Sequence, residues 1–180
     1  VMFMENSWTI GLLLGVCVSA IFVFWPRIGL LVLIRHWREL RRRERFEDGL
    51  KHILAWEQSK RDATPESLCG ALGLTQSRAL RLITDMEEGN LIHSAGGGIR
   101  LTFSGKRLAL HVVRAHRLWE SYLADDAGVP MARLHKAAEK AEHQLSDDRI
   151  DALDAHLGHP ERDPHGDPIP RADGSFEKDN

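Results

Sequence analysis

The chain has 180 residues, with 24 Lys and Arg against 26 Asp and Glu and a formal net charge of -2. That length holds one ordinary globular domain, or two small ones with an appendage, and excludes a large enzyme core. Its two cysteines, Cys17 and Cys69, exclude a disulfide framework and a Cys-based zinc site, and the soluble part is expected to be made for a reducing compartment.

Charge is unevenly placed: Arg38, Arg41, Arg42, Arg43 and Arg45 crowd together, whereas the last third is rich in Asp, Glu and His. Ahead of the arginines, every residue from Trp8 to Trp25 is apolar or small except Thr9 and Ser19. The apolar character resumes from Ile28 to Ile34. A membrane-crossing helix takes about 20 such residues, so residues 8–34 are expected to hold a single span, kinked or ended near Pro26. Trp8, Phe24 and Trp25 stand where interfacial aromatics belong, and the basic cluster after them predicts a single-pass orientation, N-terminus outside and C-terminal domains in the cytoplasm. A cleaved secretory signal would carry its positive charge before the run, where only Glu5 stands. The opening Val-Met-Phe-Met also admits that the segment is the tail of a longer membrane protein.

Phe46, Leu50, Ile53, Leu54 and Trp56 recur at helical spacing and predict an amphipathic helix from Phe46 to Lys60. Thr64-Pro65 is a cap followed by proline at a first helical position, which predicts a helix from Pro65 to about Leu72. After the turn Gly73-Leu74-Thr75 a second helix runs from Gln76 to about Glu88, the outline of a helix-turn-helix. Leu91–Ser94 and Ile99–Thr102 flank the glycines 96–98 as two short strands, a hairpin in the position of a wing. Further helices are expected from Lys106 to about Leu123, Pro130 to Gln144 and Ser146 to Leu157, before an irregular, proline-rich tail.

In a helix-turn-helix the start of the second helix meets base edges, which nominates Thr75, Gln76, Ser77, Arg78 and Arg81 for a double-stranded DNA operator, with Arg100 of the wing near phosphate. Any one of these could equally be a solvated surface residue. The order helix, tight turn, helix and wing is the more specific signal.

His135, Glu139, Glu142 and His143 occupy positions i, i+4, i+7 and i+8, on nearly one helical face, and His116 and Glu120 share a face of the preceding helix. Two facing helices would gather three imidazoles and three carboxylates. Those donors suit Mn(II), Fe(II), Zn(II), Co(II) or Ni(II), and the lack of thiolate disfavours Cu(I). Acid-base catalysis is the other reading of such groups, but no nucleophile, phosphate loop or cofactor fingerprint stands beside them, so no enzyme is expected.

The stretch from His111 to Glu120, the segment from Leu134-His135 to Glu142-His143 with Leu145-Ser146-Asp147, and the ending Asp163-Pro164-His165-Gly166-Asp167-Pro168-Ile169-Pro170 together resemble the iron- and manganese-dependent repressors of the diphtheria toxin repressor type, over about residues 46–171. The resemblance implies a homodimer in which a divalent metal, Mn(II) or Fe(II) with Zn(II) as a further candidate, promotes operator binding and repression of metal uptake. By matching positions it implies one metal site at His116, Glu120 and His135, and another at Glu139, Glu142 and His143. Glu139 stands where iron-type members carry Cys and manganese-type members carry Glu, which favours Mn(II). Asp48 matches a ligand that manganese-type members draw from their first helix, while Lys51 replaces the next carboxylate of that pattern and His52 lies beside it. No third, SH3-like domain is expected after Pro170, as in the shorter manganese-type members.

Phe24 to Leu31 resembles the exit of the last helix of manganese/zinc ABC-transporter permeases. The expected class is therefore mainly α: a transmembrane segment (1–35), a basic juxtamembrane stretch (36–45), a winged helix-turn-helix with a β-hairpin wing (46–108), a helical metal-binding and dimerisation domain (109–159) and an irregular tail (160–180). The expected function is a membrane-tethered, metal-dependent repressor. Two alternatives stand beside it: a metal-sensing regulatory domain that acts on ABC-transporter subunits without touching DNA, and a structural winged-helix interaction module.

Overall fold

The computed structural model describes residues 10–16, 25 and 29–176. The chain divides into two compact units, Val1–Arg43 and Glu44–Asn180. In the first, helix α1 is described over residues 10–16, and helix α2 (Leu30–Gln58) begins and continues into the second unit.

The expected membrane span is overturned: among the described residues no helix is long and apolar enough to cross a membrane. Helix α2 offers only Leu30, Leu31, Val32, Leu33 and Ile34 before Arg35, and then carries Arg38, Glu39, Arg41, Arg42, Arg43, Glu44 and Arg45 on the same helix. Placing those charges in hydrocarbon costs roughly 2.5–3.5 kcal/mol each near the bilayer centre. Residues 8, 9, 17–24 and 26–28 of the expected span lie outside the described residues. The transmembrane part of the fold and the single-pass N-out localisation fall together, and the membrane and ABC-transporter subunits as partners are left without support.

In the second unit α2 carries Leu50, Ile53 and Leu54, all buried, on the face expected from their spacing. Helix α3 (Pro65–Leu72) starts at a reciprocal cap: Ser67 N–H donates to Thr64 Oγ1 at 3.2 Å, and Thr64 N–H donates to Ser67 Oγ at 3.0 Å. It stops at Gly73, whose φ of 60° is left-handed and open to glycine at little cost. Helix α4 (Gln76–Glu88) follows, burying Ala79, Leu82, Ile83 and Met86.

Strands β1 (Ile92–Ala95) and β2 (Gly98–Leu101) pair antiparallel, Ile92 opposite Leu101 and His93 opposite Arg100, around a turn at Gly96 and Gly97. A bridge between Ala63 and Ile99 ties the hairpin to the segment ahead of α3. Helix α5 (Phe103–Asp125) is capped by Thr102, which accepts the Gly105 N–H at 3.1 Å. Gly105 is required by close approach: a Cβ there would lie 1.9 Å from the Leu91 carbonyl oxygen. Helix α6 (Met131–Ala141), a 3-10 turn (Glu142–Gln144) and helix α7 (Asp147–His156) complete the regular elements.

Two buried apolar clusters result. Leu50, Ile53, Leu54, Leu68, Leu82, Ile83, Met86, Ile92, Ile99 and Leu110 fill the winged helix-turn-helix, with Phe176 of the tail packed against them. A smaller cluster, Ala115, Leu118, Ile150 and Ile169, joins α5, α7 and the tail. The fold is mainly helical with a small hairpin wing, as expected apart from the membrane helix.

Candidate metal centre

One turn of α5 separates His116 from Glu120, and both are buried, with Glu120 only 2 % exposed. Helix α6 brings His135 to the same place. His116 Nε2 lies 3.0 Å from His135 Nδ1 and 3.2 Å from Glu120 Oε1, and His135 Nδ1 lies 3.3 Å from Glu120 Oε1. Donors around one ion at bond lengths of about 2.1 Å, at right or tetrahedral angles, stand about 3.0–3.4 Å apart. The three side chains therefore fit a single divalent transition ion in spacing and in donor type.

Asp48 of α2 forms a second group with Glu142 and His143. His143 Nε2 lies 3.3 Å from Asp48 Oδ1 and 3.5 Å from Glu142 Oε1, and its Nδ1 lies 2.6 Å from Glu47 Oε2. The lysine ammonium of Lys51 donates to both oxygens of Glu142, at 2.8 and 3.0 Å. Glu142 Oε2 also takes a short hydrogen bond from His116 Nδ1. One carboxylate thus connects the two groups. It orients the His116 ring so that Nε2 faces the first group, the usual way a second partner sets an imidazole ligand.

The expected single helical face from His135 to His143 does not persist. Helix α6 ends at Ala141, and the 3-10 turn advances each residue by a larger angle than an α-helix does. Glu139 stays on α6 beside His135, at 3.3 Å and half exposed, and lies in neither three-residue group. Glu142 and His143 are turned toward α2.

Burial raises the Glu142 carboxyl, but the His116 hydrogen bond and the Lys51 charge outweigh it and hold the group below its ordinary value. Burial likewise lowers His143, yet hydrogen bonds to Asp48 and Glu47 outweigh it and push its pKa up to about 10. In the metal-free chain His143 is therefore an imidazolium between carboxylates.

Thr75, Gln76, Ser77, Arg78 and Arg81 are all exposed at the start of α4. Arg100 on the wing pairs with Asp62, its Nε donating at 2.8 Å. His52 donates to or accepts from Ser67 Oγ at 3.0 Å and takes no part in either group.

Two residues escaped the sequence reading. Glu47, next to Asp48, is 2 % exposed and meets His143; a lone acid beside an already matched one gives no periodic signal. His165 lies 3.7 Å from Glu120 Oε1, on a tail loop held by Asp163, which accepts the His165 and Asp167 N–H groups at 2.9 Å. The Asp-Pro-His-Gly-Asp-Pro motif was the available signal for it.

Residues 102–171 match the family model described as "Iron dependent repressor, metal binding and dimerisation domain". The chain is 38 % identical over 89 residues to the iron-dependent repressor IdeR of Mycobacterium tuberculosis, covering 49 % of this chain and 39 % of that protein. A stretch of 71 residues, 39 % of this chain, is 42 % identical to 16 % of a Chlamydia trachomatis protein named "Probable metal transport system membrane protein". Among solved structures, a manganese-dependent transcriptional repressor in complex with manganese superposes with a TM-score of 0.70 at 38 % identity, covering 74 % of this chain and 62 % of that one. The chain therefore spans about two fifths of the iron-dependent repressor and under two thirds of the manganese-dependent one. These relatives are named for dependence on iron or manganese, and this chain is similar to them, and to the family model, over the stretches given.

Proposed function

We propose, from this similarity, that the chain is a metal-dependent, DNA-binding transcriptional repressor of the iron- and manganese-responsive kind, acting as a homodimer. The observation that carries the reading is the triad of buried His116 and Glu120 with exposed His135, whose donors stand 3.0–3.3 Å apart on two helices of the unit that also carries an exposed candidate reading helix.

A divalent cation held there, Mn(II) or Fe(II) by the named relatives, would supply the positive charge that draws one carboxylate and two imidazoles, and hence α5 and α6, together. The rest is done by the chain's own residues. His116 would hold the ion through Nε2, with its Nδ1–H on Glu142. Glu142 in turn is held by Lys51 of α2, the helix whose buried face packs into the winged helix-turn-helix core. Order at the triad thus biases the placement of α2. Thr75, Gln76, Ser77, Arg78 and Arg81 meet the major groove, and Arg100 is available to phosphate once it exchanges Asp62 for DNA. A hundredfold change in the population of the DNA-competent arrangement needs only about 2.7 kcal/mol of differential metal binding.

The test is binding of the full chain to the DNA upstream of its own gene, with and without Mn(II), Fe(II) or Zn(II). Metal-stimulated binding, lost in Glu120→Gln and in Arg78→Ala for different reasons, is expected. Metal binding with no DNA affinity under any condition would overturn the repressor reading.

A further inference from the structure

The two three-donor groups have the same chemistry, carboxylate and imidazole, yet differ in what neutralises them. Glu120's ion-pairing partners among the described residues are all imidazoles: His116, His135 and, further off, His165. Glu142 instead lies under an ammonium group. Lys51 Nζ reaches both of its oxygens, at 2.8 and 3.0 Å, and Oε2 is further engaged by His116 Nδ1.

We propose that Lys51 is a built-in cation that takes the place of a metal ion in the Asp48, Glu142 and His143 group, so that each chain binds one divalent ion, at the triad of His116, Glu120 and His135. The inference rests on the triad being a metal site.

Three features carry it. Asp48 and Lys51 stand three apart on α2 and so share a face, which brings the ammonium to the Glu142 carboxylate of the group that Asp48 belongs to. Glu142 is 1 % exposed at its side chain and Lys51 26 %, so the pair is shielded on the carboxylate side, where like-charge repulsion between an ammonium and an entering divalent ion is poorly screened. Of the roughly four lone-pair sites on the Glu142 carboxylate, Lys51 takes two and His116 one. An ion at the remaining site would share Oε1 with an ammonium 2.8 Å away, so its binding and the Lys51 contact oppose each other.

The consequence concerns regulation. The tie between α2 and the 3-10 turn is a permanent ammonium–carboxylate contact instead of a metal bridge, and metal responsiveness resides wholly in the triad. It reaches α2 through His116, Glu142 and Lys51.

The experiment is metal analysis of the chelator-stripped full chain after equilibration with Mn(II) and desalting, together with calorimetric titration. One ion per wild-type chain is expected, and none in His135→Ala. Lys51→Glu and Lys51→Met are each expected to bind two, a doubling, and retention of the first ion shows that these variants are folded. Two ions in the wild type, or a single ion in both folded Lys51 variants, would overturn the inference while leaving the triad intact. No ion in the wild type, or an ion retained in His135→Ala and lost in Asp48→Ala, would instead sink the reading of the triad on which the inference rests.

Discussion

The winged helix-turn-helix and the helical region that carries the candidate metal donors are held together by different materials. The first buries a contiguous set of large aliphatic side chains from α2, α3, α4, the hairpin and the start of α5. The second has four buried apolar residues in its cluster and relies on buried polar groups, Arg114, His116, Glu120, Ser121, Glu142 and Asp163. An apolar core is indifferent to ions and protons, whereas a core of carboxylates, imidazoles and guanidinium is sensitive to both. Under the proposed function, rigidity is thus concentrated where a reading head would need a fixed shape, and responsiveness where a sensor would need it.

The largest effect should come from opening the apolar core. Leu50→Ala, at a fully buried position, is expected to cost about 2–5 kcal/mol in denaturant unfolding, with little dependence on added Mn(II) in the size of the loss. A loss that vanished on adding metal would erase the distinction between the two regions.

Next comes the pH response of the metal-free chain. His143 releases its proton near 6.5 when unfolded and near 10 when folded, so its contribution is complete below pH 6.5 and is lost as the pH rises through about 10. Glu142, held below its ordinary value, acts with the opposite sign: its contribution is present at neutral pH and is lost as the pH falls through its folded value. The Tm with chelator present should therefore fall as the pH rises from 6.5 toward 10, and His143→Gln should flatten that slope. An unchanged slope in the variant would show that the imidazolium is not what the region leans on.

Arg114, 5 % exposed, donates to Asp151 at 2.7 Å and to Asp154 at 3.0 Å. Arg114→Met keeps the apolar stem and removes the charge, and about 1–3 kcal/mol of stability should go with it. Because Asp151 is largely exposed it can rehydrate, which keeps the loss below that of the Leu50 cavity. The smallest effect belongs to a local device. Thr64→Ala removes the acceptor for the Ser67 N–H and should cost about 1 kcal/mol by thermal melting, without altering metal binding.

Much of the fold was legible because its signals are local. The Thr64-Pro65 cap, Gly73 and the stripe through Leu50, Ile53 and Leu54 each act within a turn or two of helix, and the structure carries α3 and α4 over the spans they predict. The membrane span was misjudged from the same kind of signal: apolar composition was counted across a segment in which α2 starts only at Leu30 and runs at once into arginines.

The sequence by itself determined which candidate donors could meet: His116 and Glu120 at one-turn spacing share a face, and His135 follows on the next helix. Only the tertiary structure decided how six donors are partitioned. The switch from α-helix to 3-10 turn after Ala141 separated Glu139 from Glu142 and delivered Glu142 between His116 and Lys51. Lys51 and Glu142 are 91 residues apart, and no local periodicity carries information about a contact at that separation. Which cation a carboxylate meets is settled when helices pack.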